Sequence, residues 1–93
     1  YDYARLYWNN RKVRNKMGYL LGLHHDPIRL QDCPDLLKIL NIAHNKAYKR
    51  SFLNENHLTF PTGYYEDVPF TYPVLCLADS IALLDRVCVM YRQ

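Results

Sequence analysis

The final stretch, Pro73 to Gln93, constrains the fold more than any other part of the chain. Its apolar residues recur at spacings of three and four, which is typical of one face of a helix: Val74, Leu77, Ile81, Leu84, Cys88 and Tyr91. Other apolar side chains widen this surface, so we predict a helix that is buried on several sides. Charged residues interrupt the stretch well before the ~18 uncharged residues that a membrane span requires.

Two further helices are expected to surround this one. The first runs from about Tyr3 to Leu21, with Asp2 as its N-cap, and the second begins at Pro34 and ends near residue 53. Residues 54–72 contain two prolines and one glycine but also many aromatic side chains, which indicates an ordered loop rather than a solvated linker. We therefore predict an all-α fold, a small helical bundle of three to four helices with one long, ordered, aromatic-rich crossover loop.

Length and composition predict a single helical domain over residues 1–93. The chain starts at Tyr1 rather than Met, so we expect it to be a fragment of a larger protein. Three cysteines is an odd number, and Cys76 and Cys88 fall in the predicted buried helix. Reduced, buried thiols are typical of an intracellular protein, so we expect a cytoplasmic or nuclear location.

Motifs for catalysis or metal binding are absent from the sequence. Four histidines and three cysteines are present, but no paired spacing of the kind that marks zinc sites occurs. A composite set of His24 or His25 with Cys33 and His57 is the only arrangement worth naming, and surface histidines are the simpler interpretation. No glycine-rich phosphate loop or nucleophile motif occurs. We predict no catalytic residue, no metal, no cofactor and no enzymatic activity.

Charge is distributed unevenly along the chain. Residues 1–50 contain ten basic and four acidic residues, a net of +6, whereas residues 51–93 have a net of −3. The basic residues near the N-terminus could contact phosphates while an aromatic ring stacks on a base. This alternative function, nucleic-acid or acidic-partner binding by the basic first helix, is assigned to Arg5, Trp8, Arg11, Lys12, Arg14 and Lys16. The simpler interpretation is a solvated helix face.

The predicted function is a non-catalytic module for protein–protein interaction, which docks a peptide or helix of a partner protein in an intracellular assembly. Nine tyrosines and one tryptophan favour it, since aromatic anchors dominate interface energetics. The predicted anchors lie in the crossover: Tyr64, Tyr65, Phe70 and Tyr72. Some of these rings are equally compatible with a core position, Phe70 above all. Homodimerisation is a further alternative, and no membrane partner is expected.

Overall fold

The computed structural model describes residues 2–14, 20, 27–39 and 41–93. Within these ranges the chain forms a three-stranded sheet, two α-helices and several short 3₁₀ helices. In chain order these are β1 (Asp2–Leu6), β2 (Lys12–Arg14), 3₁₀ helices at Leu30–Asp32, Pro34–Lys38 and Ala43–Asn45, α1 (Arg50–Glu55), α2 (Asp67–Leu77) and β3 (Val87–Arg92). The fold combines helices with a sheet, so the predicted all-α helical bundle is wrong.

The predicted first helix is wrong because its beginning forms a β-hairpin. β1 pairs antiparallel with β2, and the turn is closed by the Tyr7 backbone N–H, which donates to the Arg11 carbonyl oxygen over 2.9 Å. Asn10 occupies the turn with a φ of 62°, a left-handed conformation that asparagine tolerates better than most residues. The remainder of that predicted helix, including Lys16, lies largely outside the described residues.

The predicted C-terminal helix is also wrong in its position and in its length. α2 begins six residues earlier, at Asp67, contains Pro73 in its interior, and ends at Leu77. Residues 87–92 instead form β3, which pairs parallel with β1 and makes β1 the central strand of the order β2-β1-β3. Alternating half-buried and exposed side chains from Val87 to Met90 follow the period of two that a strand imposes.

The predicted second helix is broken into separate turns. The 3₁₀ helix Pro34–Lys38 ends at Ile39, whose extended ψ of 153° turns the chain away from a helical path. A second 3₁₀ turn covers Ala43–Asn45, and regular α-helix returns only in α1. Isoleucine and asparagine have lower helix propensities than leucine or alanine, and asparagine side chains compete for backbone hydrogen bonds. Asn41 also has a tertiary partner, since its side-chain amide donates to the Tyr72 hydroxyl over 2.8 Å.

Two groups of buried side chains lie outside the sheet, whose own buried residues are Tyr3 and Ala4. One contains Leu20, Cys33 and Leu36, and its partly buried neighbours are Ile28, Leu30, Ile39, Ile81 and Leu83. A backbone bridge fixes it, with hydrogen bonds of 2.8 and 2.7 Å exchanged between Ile28 and Ile81. The other group comes from one side of α2, where Phe70, Val74 and Leu75 are buried. A cavity lies between these two groups.

Candidate functional site

Residues 61–66, which we call the tyrosine turn, place two aromatic rings in solvent. Tyr64 is 98% exposed and Tyr65 is 84% exposed. Tyr65 has a φ of 60°, a left-handed conformation that is uncommon for a bulky residue, and Gly63 has a φ of 119°. Backbone strain of this kind persists only where surrounding structure enforces it, and it is concentrated at functional sites. The turn is therefore a candidate binding surface.

A stack of rings lies beside the tyrosine turn in the sequence, beginning at Phe60. Phe60 lies on Phe70, with ring centroids 3.9 Å apart, and Tyr48 meets the same Phe70 ring edge-on at 5.3 Å. Phe70 is only 3% exposed, and Tyr72 is half-buried with its hydroxyl bonded to Asn41. Of the four predicted anchors, the structure leaves Tyr64 and Tyr65 in solvent, whereas Phe70 and Tyr72 pack within the fold.

The β1–β2 hairpin, residues 2–14, forms a second candidate surface that we call the basic hairpin. Trp8 lies at its tip and is 91% exposed. Four of the predicted basic contacts surround this ring in sequence and are also exposed: Arg5, Arg11, Lys12 and Arg14. The Arg11 guanidinium is 6.0 Å from the Tyr7 ring centroid, and Arg14 forms an ion pair with Asp85. Lys16 lies outside the described residues.

Strand register extends this positive surface across the sheet. Leu6 of the central strand is opposite Lys12 on β2 and opposite Arg92 on β3. Residues directly opposite one another share a face, so the two cations flank Leu6 on the same side of the sheet. Arg92 is exposed and is not among the residues predicted from the sequence. Its contribution depends on a parallel pairing between the two ends of the chain, which no local sequence signal indicates.

The third candidate is a cavity of about 700 Å³ between the two buried groups. Most of its wall is apolar, including Leu20, Leu36, Val74, Leu75 and Leu83. Such a volume is within the range of small-molecule sites, which is about 300–1,000 Å³. Among the described residues, those of the wall that carry a charge are Lys46, Lys49, Glu55 and Asp79.

Lys46 is the unusual residue of this cavity. Its side chain is half-buried, and burial lowers the pKa of Lys46 to about 8, an effect that the negative charge of Asp67 partly opposes. The ammonium donates to the Ile42 carbonyl oxygen and to Asn45 Oδ1, both over 2.6 Å. It forms no ion pair with any residue that the structure describes. No local sequence pattern indicates this site, because it needs the two buried groups to meet.

Other predicted chemical groups are dispersed. Among the described residues no three histidine, cysteine, aspartate or glutamate side chains cluster as a metal site would require, and His24 and His25 lie outside those residues. Cys33 is buried, but Cys76 and Cys88 are exposed, which corrects the expectation that they are buried. No helix within the described ranges is long and apolar enough to cross a bilayer.

Comparison with known proteins adds no relative to this picture. No protein-family model matches the chain, and neither the curated proteins nor the solved structures contain a significant match. The chemistry of the tyrosine turn, the basic hairpin and the cavity is therefore the basis for inferring function.

Proposed function

We propose that the protein is a non-catalytic interaction module that docks a peptide or helix of a partner protein on the tyrosine turn. The single observation that supports this proposal is the exposure of Tyr64 and Tyr65 as adjacent rings on a strained turn. Tyrosine supplies a large contact area with few rotatable bonds, so its burial in an interface loses little conformational entropy. Tyrosine is among the residue types that are enriched in binding hot spots.

The charge beside the turn defines the partner further. Glu66 is exposed and follows Tyr65 directly, and the half-buried Asp67 begins α2 one residue later. A partner segment with apolar residues for the rings and at least one lysine or arginine for these carboxylates would be complementary to this surface. We therefore expect the preferred ligand to be a peptide that combines aromatic or aliphatic residues with basic ones.

Peptide selection tests the proposal even though the natural partner is unidentified. A random displayed peptide library is selected on the folded protein, and the selected peptides are titrated against wild type and the Tyr64→Ser/Tyr65→Ser variant by calorimetry. Loss of two hot-spot rings is expected to weaken binding by about a hundredfold or more. The melting temperature should stay nearly constant, because both side chains are exposed.

Trp8→Ser is the matched control for this experiment. It removes another exposed aromatic ring, 91% exposed, from a different part of the molecule. Peptides that bind through the tyrosine turn should bind this variant as tightly as wild type. If the selected peptides bind the double tyrosine variant equally well, or bind the Trp8 variant no better than they bind the double variant, the assignment of the tyrosine turn is incorrect.

A second candidate function, binding of single-stranded nucleic acid, is favoured by the basic hairpin. Its support is the exposed Trp8 ring in the same hairpin as the exposed Arg5, Arg11 and Lys12, since stacking on an aromatic ring combined with cation contacts is a common mode of single-strand binding. The test is fluorescence anisotropy of labelled single-stranded RNA and duplex DNA at low and physiological salt. Arg11→Glu/Lys12→Glu should abolish binding and Tyr64→Ser/Tyr65→Ser should not. Unchanged binding by the charge-reversed variant would rule this candidate out.

A further inference from the structure

The cavity wall carries a positive charge, Lys46, on which the negative charge of Asp67 acts without forming an ion pair. Lys46 has three ammonium donors, of which two go to the neutral oxygens of Ile42 and Asn45. No described carboxylate forms an ion pair with it, although charges that leave water are normally paired. One donor therefore remains for a ligand, and the ligand group that suits it best carries a negative charge.

The rest of the cavity wall determines the other end of that ligand. Leucine and valine side chains from both buried groups line it, and Ile81 and Ala82 continue the apolar surface. An apolar chain that fills this space leaves water and gains roughly 25 cal/mol for each Å² of surface that it buries. Among the other charged residues of the wall, Asp79 already forms an ion pair with Arg29 at 2.9 Å, so it is engaged.

We propose that this cavity is a binding site for an amphipathic carboxylate, whose charged group pairs with the Lys46 ammonium and whose hydrocarbon chain lies against the leucine-rich wall. The site is separate from the tyrosine turn, since neither Tyr64 nor Tyr65 lines the cavity. It therefore goes beyond the proposed function and does not depend on it.

The proposal predicts a definite pH dependence. Only the ammonium form of Lys46 pairs with a carboxylate, and its pKa in the free protein is about 8. Affinity should therefore hold below pH 8 and fall as the pH rises above it, while the bound carboxylate raises the pKa of Lys46. Besides Lys46, the charged groups around the cavity are Lys49, Glu55, Asp67 and Asp79. Variants must show which of these groups causes the fall in affinity near pH 8, which we call the break in the pH profile.

Three ligands with the same chain and different head groups provide the first test. Decanoate, decanol and decylammonium are titrated against the wild-type protein by calorimetry at pH 7. The expected order is decanoate tightest, decanol weaker by about ten- to hundredfold, and decylammonium weakest, because only decanoate brings a negative charge to the Lys46 ammonium and decylammonium brings a second positive one. Equal affinity for decanoate and decanol would show an unspecific apolar cavity, and absence of binding would show no ligand site. Either result overturns the proposal.

Two lysine variants provide the second test. Lys46→Met should reduce decanoate affinity to that of decanol and remove the break in the profile near pH 8. Lys49→Met is the matched control, since it removes an exposed lysine of the same wall and should retain both the affinity and the break. Unchanged decanoate affinity in Lys46→Met, or an equal loss in both variants, would overturn the assignment. If Lys46→Met does not fold, the ligand series and the NMR titration of the Lys46 amine decide: decanoate must raise its pKa.

Discussion

The tyrosine turn and the basic hairpin both place large aromatic rings in solvent, but in opposite electrostatic surroundings. Tyr64 and Tyr65 are followed by two acidic residues, whereas Trp8 lies among arginines and lysine. Ring exposure is nearly the same, above 80% in all three cases. In our proposals the exposed ring is the contact surface, and the neighbouring charges determine which partner it suits. We therefore expect one surface to prefer a basic, apolar peptide and the other an acidic ligand.

The two surfaces also differ in what holds them. The tyrosine turn directly follows Phe60, which belongs to the ring stack with Phe70 and Tyr48, and Phe70 belongs to the buried side of α2. The hairpin tip is held by backbone hydrogen bonds of the turn, from Tyr7 to Arg11 and from Asn10 to Tyr7, each 2.9 Å long. A mutation in the ring stack should therefore lower the stability of the whole fold, and a mutation at the hairpin tip should not.

Phe70→Ala should have the greatest effect on stability. This change removes a ring that is 3% exposed and contacts two other rings, so we expect the free energy of unfolding to fall by about 3–4 kcal/mol. Trp8→Ala should change it by no more than about 0.5 kcal/mol. Urea denaturation of both variants measures the difference. If both variants lose similar amounts of unfolding free energy, Trp8 is packed as firmly as Phe70, and the proposed difference between the two regions is wrong.

The electrostatic difference between the two surfaces can be tested by neutralising the hairpin. Arg11→Ala/Lys12→Ala removes two cations of the basic hairpin, and affinity for single-stranded RNA should fall roughly tenfold at low salt. The slope of log affinity against log salt should become shallower by about 0.7 for each lost phosphate contact. Affinity for peptides selected on the tyrosine turn should not change. An unaltered salt slope would mean that these side chains do not contact phosphate.

A smaller change in stability is expected from a substitution inside α2. Thr71 is completely buried, and its hydroxyl has no hydrogen-bond partner among the described residues, which is an unfavourable state for a polar group. Thr71→Val replaces the hydroxyl with a methyl group of similar size and should stabilise the protein by about 1 kcal/mol, as measured by urea denaturation. Peptide binding at the tyrosine turn should remain the same if the turn is already well ordered. A destabilised Thr71→Val variant would indicate that the hydroxyl has a partner after all.

The errors in the predicted architecture arise where other effects override the local periodicity of the sequence. The stretch after Pro73 satisfies a period of 3.6 through Ile81, Leu84 and Cys88, but Val87 and Val89 also satisfy a period of two. Pairing with β1, far away along the chain, selects the strand. Near the N-terminus, local periodicity favours a helix, whereas the chain forms a hairpin with a sharp turn at residue 10. Long-range pairing overrides local periodicity at the C-terminus, and turn chemistry overrides it at the N-terminus.

The candidate sites show the same division. The concentration of aromatic residues in residues 60–72 predicts a binding segment there, but the pattern cannot separate the exposed Tyr64 from the buried Phe70. The basic residues near the N-terminus are evident in the sequence, whereas Arg92 joins them only through strand register. Lys46 has the sequence context of a helix end, and its cavity arises from residues distant in sequence. Composition identifies candidate residues, and tertiary contacts decide which of them share a site.

The finest test concerns the conformation of the tyrosine turn itself. Tyr65 has a φ of 60°, and a left-handed conformation costs a residue other than glycine about 1–2 kcal/mol. Tyr65→Gly removes that strain but increases the conformational freedom of the unfolded chain, which costs about 0.5–1 kcal/mol. The net result in urea denaturation should therefore be a gain in stability of up to about 1 kcal/mol.

Tyr64→Gly provides the control, because Tyr64 is also exposed but is not among the residues with positive φ. With no strain to relieve, this change should destabilise the protein by about 0.5–1 kcal/mol. Both variants should lose affinity for the selected peptides, since each lacks one ring. If Tyr65→Gly stabilises the protein, Tyr64→Gly destabilises it and both weaken binding, then both rings contact the peptide but only Tyr65 is held in a strained conformation. Equal destabilisation of both variants would instead mean that the surrounding fold does not force Tyr65 into its conformation.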